Sequence, residues 1–227
     1  MTFAKKMIEA IIFDLDGTLI DSEPCWMEAG REVLKEEGLM LTEKDMEPTE
    51  GLNTRDMVMM FYPRLINKSK SLEEITKKID NRAEKKILRK GSLQPGAKEM
   101  IELLRQYSLP LAIASSTVNR LIKSFLHNFG LESYFKVICS AESEPFGKPH
   151  PGIYLTTAKK LNVSPQRCLV IEDSFQGMLA AKAAGMKLLA YLPKQRYCDT
   201  KYDFADSKIE SFCNFGPSEL EYLHSIV

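Results

Sequence analysis

The chain is short of the residues that would tie it together covalently or draw it to a charged partner. Its 227 residues include five cysteines, Cys25, Cys139, Cys168, Cys198 and Cys213, an odd number with no Cys-x-x-Cys pair. That spacing builds neither a disulfide framework nor a zinc knuckle, and reads as free thiols in a reducing compartment. Charge of one sign is not in excess, because Lys plus Arg and Asp plus Glu each number 31. A neutral chain lacks the basic footprint of proteins that grip nucleic acid or anionic membranes, so neither partner is expected. Long apolar runs are missing too. The opening MTFAKKMIEAIIFD has a short apolar run that closes on an acid, unlike a leader or a membrane span. The expectation is a cytoplasmic protein, and with no segment that stands out as an interface, a monomer.

What is present is an ordinary globular composition, 44% hydrophobic and 27% charged, in a length that suits one core plus a smaller lobe. Short apolar runs recur at 9–14, 111–116, 136–141, 168–173 and 187–192. They do not alternate, as expected of parallel strands covered on both faces. Amphipathic helical patterns lie between them at 96–106, 118–129, 152–161 and 175–184, with proline near their starts and glycine past their ends. Strand and helix in alternation predict an α/β fold, a doubly wound parallel sheet of Rossmann-like type. Residues 20–91 break the rhythm with helical patterns at 24–37, 54–62 and 72–90 and no strand signal. In the last, Ser71 and Glu74 are spaced as a capping box, Gly91 is the stop, and the Lys/Glu face reads as solvated surface. The predicted organisation is a core of residues 1–19 and 92–227 with a helical cap at 20–91.

The first strand runs into Asp14-Leu15-Asp16-Gly17-Thr18, two carboxylates at the mouth of a buried element. Burying an ionised carboxylate is costly unless something positive meets it. Alone, the stretch also suits an Asp-Gly turn or a calcium loop. Ser115 and Ser116 would serve as helix caps, with Thr117 the cap residue itself; Lys148 would be a surface lysine; Glu172 and Asp173 would favour a helix N-terminus. Position argues otherwise. Ligands of open parallel sheets bind beyond the carboxyl ends of the strands, and all of these groups fall at strand ends or in the loop EPFGKPHPG. Acids meeting there make a hard-oxygen site suited to Mg²⁺, a cation that works with phosphates. Ser115, Ser116 and Lys148 then offer donors to phosphate oxygens. Asp14 is either a ligand or a nucleophile, and Asp16 is placed to move protons.

The motifs FDLDGT, Ser115 in ASS, Lys148 in GKPHPG, and IEDSFQG resemble, in order and context, those of the haloacid dehalogenase superfamily. The resemblance covers residues 8–18 and 92–200. It implies Asp14 as nucleophile, Asp16 as acid/base and backbone metal ligand, and Ser115 as phosphate ligand. Lys148 would hold nucleophile and phosphate together, and Asp173 with Glu172 would complete the Mg²⁺ site. DSEPCW and EGLNTRDMV are similar to the β-phosphoglucomutase-like branch, nearest to its sugar-phosphate phosphatases. The implied activity is a Mg²⁺-dependent phosphatase acting on a small phosphorylated metabolite. The alternative is a phosphomutase with the same nucleophile, although mutase relatives tend to carry a histidine where this chain has SEPCW. Relatives that cleave carbon–halogen or carbon–phosphorus bonds lack the acid at Asp16. Arg55 is the cap residue best suited to grip a polar substrate. Trp26, Phe61 and Tyr62 either pack the cap or meet the substrate, packing being the simpler reading for aromatics at helical spacing, and His127, His150 and His224 read as structural or surface groups.

Overall fold

The computed structural model describes residues 8–66 and 69–225, with only the backbone described at 194 and 195. The first seven residues, half of the opening segment read above, lie outside the described residues. In chain order the strands are β1 (Ala10–Phe13), β2 (Ile20–Asp21), β3 (Ser92–Leu93), β4 (Leu111–Ser115), β5 (Val137–Ser140), β6 (Cys168–Glu172), β7 (Lys187–Tyr191) and β8 (Ser207–Ile209). The helices are α1 (Glu23–Glu36), α2 (Glu43–Met46), α3 (Thr54–Phe61), α4 (Leu72–Lys90), α5 (Ala97–Gln106), α6 (Asn119–Asn128), α7 (Gly152–Leu161), α8 (Phe175–Ala183), α9 (Lys194–Tyr197) and α10 (Pro217–Ser225).

Six strands form one sheet in the order β5-β4-β1-β6-β7-β8, every neighbouring pair parallel. Chain order reverses at β1, which has β4 on one side and β6 on the other. Phe13 is in register with Ile113 and Ile171, so the ends of three strands open on one crevice. The apolar runs do not alternate because both faces are buried. Ile11, Phe13, Ile113 and Ile171 pack with α5 and α6 residues such as Ile101 and Phe125. Ala10, Ile12, Ala114 and Val170 face α7 and α8 through Ile153, Tyr154 and Met178.

The helical insertion α1 to α4 leaves and rejoins the core through a pair the sequence reading missed, β2 against β3, with Ile20 opposite Leu93. Two residues per strand are too few for a periodic signal, and β8, three residues long, escapes for the same reason. Ser71 and Glu74 do form the capping box of α4. Gly91 ends that helix at φ −66°, not in the left-handed region. Glycine is needed there for space, since a Cβ would sit 2.6 Å from the Ile87 carbonyl oxygen. The charged face of α4 corrects the solvated-surface reading. Lys78 reaches Glu36 at 2.6 Å, Arg82 reaches Glu36 at 2.7 Å, and Lys86 bridges Glu28 and Glu32 at 2.9 Å each. This ladder joins α4 to α1, each half-exposed pair contributing about 0–1 kcal/mol.

Asp80 of α4 is buried, and burial pushes its carboxyl up to about 6 even though Thr54 donates a hydrogen bond to it. A carboxyl whose value rises on folding adds no penalty below about pH 4 and the full penalty above about pH 6. At 1.36 kcal/mol per pH unit the carboxylate costs the fold about 3 kcal/mol at neutral pH. Asp80→Asn is therefore expected to raise the melting temperature at pH 7.5 and to leave it unchanged near pH 3.8, as thermal melts at the two pH values would read. A variant less stable at pH 7.5 would contradict this.

Candidate active site

The crevice is built from strand ends. Asp14 follows β1, and its amide still donates to the Ile171 carbonyl at 3.0 Å, so the sheet's own ladder fixes the residue. Lys148, only 2% exposed, enters from the loop between β5 and α7. Its Nζ lies 2.6 Å from both Asp14 Oδ1 and Glu172 Oε1. The ammonium also sits over the Tyr154 ring at 5.1 Å, while the Tyr154 hydroxyl donates to Glu172 Oε1 at 3.2 Å. The other Glu172 oxygen accepts from the Ser174 amide and hydroxyl at 2.7 and 3.0 Å. Ser174 in turn caps α8 by accepting from the Gly177 amide. Asp173 accepts from the Thr18 hydroxyl at 2.7 Å. Two glycines make room for these carboxylates. A Cβ on Gly177 would lie 1.6 Å from Glu172 Oε1, and one on Gly17, at φ +83°, 2.3 Å from Asp173 Oδ2.

Asp14, Glu172 and Asp173 bring carboxylate oxygens within 4.8 Å of one another. One ammonium serves three buried acids, so negative charge is in excess. Burial, with Glu172 and Asp173 nearby, pushes the Asp14 carboxyl well up against the pull of Lys148. Asp173 is pushed up by burial and then by Glu172. Lys148 is pulled down by burial, but Asp14 and Glu172 outweigh that and hold it charged. Three hard oxygen donors with uncompensated charge fit a small divalent cation.

The Asp16 carboxylate points away from that trio. Its Oδ1 accepts from Ser22 Oγ at 2.7 Å and the Trp26 indole at 2.8 Å; its Oδ2 accepts from Thr117 Oγ1 at 2.8 Å and Ser115 Oγ at 3.4 Å. Four donors from two parts of the chain hold it at the floor of a cavity of about 70 Å³. Two sequence readings are corrected here. Trp26 is more than packing, since it bonds Asp16 and lines the cavity. Thr117 is no helix cap, because Val118 precedes α6 and the Thr117 hydroxyl is spent on Asp16.

Ser115 is buried and accepts from the Thr117 amide at 3.0 Å. The Ser116 hydroxyl donates to the Gly51 carbonyl of the insertion at 2.9 Å. Arg55, the expected gripping residue, is exposed and lines a neighbouring cleft, not the cavity. Phe61 is buried in the insertion, and the Tyr62 hydroxyl donates to Lys70 O. His127 pairs with Glu132, His150 Nδ1 accepts from the Gly152 amide, and His224 Nδ1 accepts from the Ile8 amide, all away from the crevice.

Sequence reasoning missed Glu23, which lines the cavity. Burial pushes its carboxyl up to about 8, with Glu50 and Asp16 adding to the effect. It also missed Arg196, which reaches Glu50 at 2.6 Å and the Asp173 carbonyl at 2.9 Å. Glu23 stood inside DSEPCW, a stretch quoted above only for its resemblance. Nothing in the local pattern around Arg196 marks it.

The sequence profile of the haloacid dehalogenase-like hydrolases matches residues 11–191. The chain belongs to that family. Hexitol phosphatase B of Escherichia coli K12 is 33% identical over 95% of this chain and 97% of its own length. A phosphorylated-carbohydrate phosphatase of Thermotoga maritima is 35% identical over 79% of this chain and 83% of its own. The crystal structure of CbbY from Rhodobacter sphaeroides, in complex with phosphate, superposes with a TM-score of 0.85 at 24% identity, covering 95% of this chain and 100% of that one. That likeness is one of fold. The chain is thus a hydrolase of the haloacid dehalogenase-like fold, with an acidic cluster fit for a divalent cation.

Lys148→Met would leave Asp14 and Glu172 buried without their cation. Removing one partner of a buried pair costs about 3–5 kcal/mol. The double variant Lys148→Met with Glu172→Gln is expected to melt above the single one, because one stranded charge is gone. Denaturant unfolding of both variants checks this; a single variant as stable as the parent would contradict the pairing.

Proposed function

We propose that this phosphomonoester hydrolase takes a small sugar or polyol phosphate, works through an aspartyl phosphate on Asp14, and uses Mg²⁺. The observation that carries the reading is the pairing of buried Lys148 with Asp14, which lines a cavity that also presents Asp16. The hexitol and carbohydrate phosphatases named above support the substrate class. Residues 20–91 act as the cap over that site. Free cysteines support a reducing, cytoplasmic setting.

Asp14 Oδ attacks phosphorus as the bond to the leaving oxygen breaks. Lys148 keeps the nucleophile oriented and offsets charge on the incoming phosphate. Asp16, oriented by Ser22, Trp26 and Thr117, gives its proton to the leaving alkoxide. In the second half it takes a proton from water as that water attacks the same phosphorus, and inorganic phosphate departs with Asp14 restored. Ser115 and the amides near Asp16 and Ser116 receive phosphate oxygens. Asp14 and Asp173, with Glu172 behind them and the Asp16 carbonyl beside them, would hold Mg²⁺. When bound, the ion supplies the positive charge that lets a carboxylate approach a phosphate.

Asp14→Asn is expected to fold, melt no lower than the parent, and lose turnover by about 10³-fold or more, as loss of a nucleophile does. Phosphate release followed by ³¹P NMR with sugar and polyol phosphates reads the result. Undiminished turnover in a folded Asp14→Asn protein would end the covalent scheme. Mg²⁺ should raise the melting temperature of the metal-stripped protein, and Asp173→Asn should abolish that rise. An equal rise in the variant would remove Asp173 from the metal site.

A further inference from the structure

We propose that the insertion side of the cavity selects esters whose leaving group is uncharged and rich in hydroxyls, and rejects those carrying a second phosphate or a carboxylate. This rests on the phosphatase reading above and narrows its substrate. The insertion presents Glu23, Trp26, Thr49, Glu50, Asn53 and Thr54 to the cavity, interspersed with apolar side chains. Among the described residues, no Lys, Arg or His lines it. The nearest cation is already spent. Arg196 donates to Glu50 at 2.6 Å, to the Asp173 carbonyl at 2.9 Å, and to the Tyr202 hydroxyl at 3.0 and 3.1 Å. Lys148 is held between Asp14 and Glu172 beneath the floor.

A second anion on the substrate would therefore enter a compartment that already holds the reacting phosphate, and would find no free cation to partner it. Like charges brought together inside a desolvated site are the commonest device for refusing a ligand. The adjoining cleft of about 780 Å³ offers no relief: of the cations that line it, Lys148 is already held by Asp14 and Glu172, and exposed Arg55 shares the walls with Asp56, Asp80, Glu142 and Glu144. Hydroxyl groups meet a different surface. The Glu50 carboxylate accepts, and Glu23, whose burial keeps it protonated near neutral pH, both donates and accepts. Trp26 spends its N–H on Asp16, leaving the ring to face the carbon–hydrogen side of a sugar or polyol. The same argument separates phosphatase from mutase. A mutase that passes a phosphoryl group between two positions of one sugar must hold a bisphosphate in both orientations, each phosphate in turn occupying the far end.

The test compares kcat/KM, with Mg²⁺, for three six-carbon probes: sorbitol 6-phosphate, 6-phosphogluconate and fructose 1,6-bisphosphate. p-Nitrophenyl phosphate reports on the chemistry alone. The polyol ester is expected to lead both anionic probes by about 100-fold or more. Glu50→Gln should narrow the ratio of sorbitol 6-phosphate to 6-phosphogluconate by about tenfold, since it frees the Arg196 guanidinium, whereas Glu23→Gln exchanges one neutral group for another and should leave that ratio alone. Structural damage would lower all probes together and leave the ratio alone. Rates within threefold of one another for the parent enzyme, or a ratio unmoved in Glu50→Gln, would overturn the selectivity while leaving a phosphatase. No phosphate released from any probe, p-nitrophenyl phosphate included, would sink the phosphatase reading and this inference with it.

Discussion

One buried ammonium among three carboxylates organises the site. Lys148 sits 2.6 Å from both Asp14 and Glu172, and everything around it follows from keeping that pair satisfied. Tyr154 covers the ammonium and bonds Glu172. Ser174 closes the remaining Glu172 oxygen and starts α8, and residue 177 must be glycine because the carboxylate occupies the space a Cβ would need. Such a pair does little for net stability, since desolvation offsets most of the attraction. Its value here is geometric and electrostatic. It locks the first carboxylate of the DLDGT stretch at the sheet's edge and leaves the other acids short of positive charge.

That shortage explains why apolar β1 can run straight into two aspartates. Asp14 stays inside because Lys148 meets it, and Asp173 because Thr18 and a divalent cation can. Asp16 belongs to a different balance, held by Ser22 and Trp26 from the start of the insertion and by Thr117 and Ser115 from the core. A carboxylate tethered to both parts is in place only when the two are together. Further contacts join them. Ser116 bonds the Gly51 carbonyl at 2.9 Å, Arg196 reaches Glu50, and Arg120 reaches Glu84 at 2.6 Å. Seating of the insertion and placement of the Asp16 carboxylate are therefore one event.

The alternation of apolar strand and amphipathic helix was enough to predict the doubly wound sheet, because strands buried on both faces carry continuous apolar runs. Strand-end position then singled out Asp14, Ser115, Glu172 and Asp173, with Lys148 from the loop before α7, since the ends of β1, β4 and β6 must meet where strand order reverses. Those are properties of local chemistry repeated along the chain, and local chemistry is what a sequence displays. The partners of each group came only from the folded chain. That Trp26 and Thr117 converge on Asp16, that Arg55 falls outside the cavity while Glu23 falls inside, and that Arg196 clamps Glu50 all depend on how the insertion rests on the core. Contacts set by how one element rests on another leave no periodic trace in the sequence, and only tertiary packing decides them.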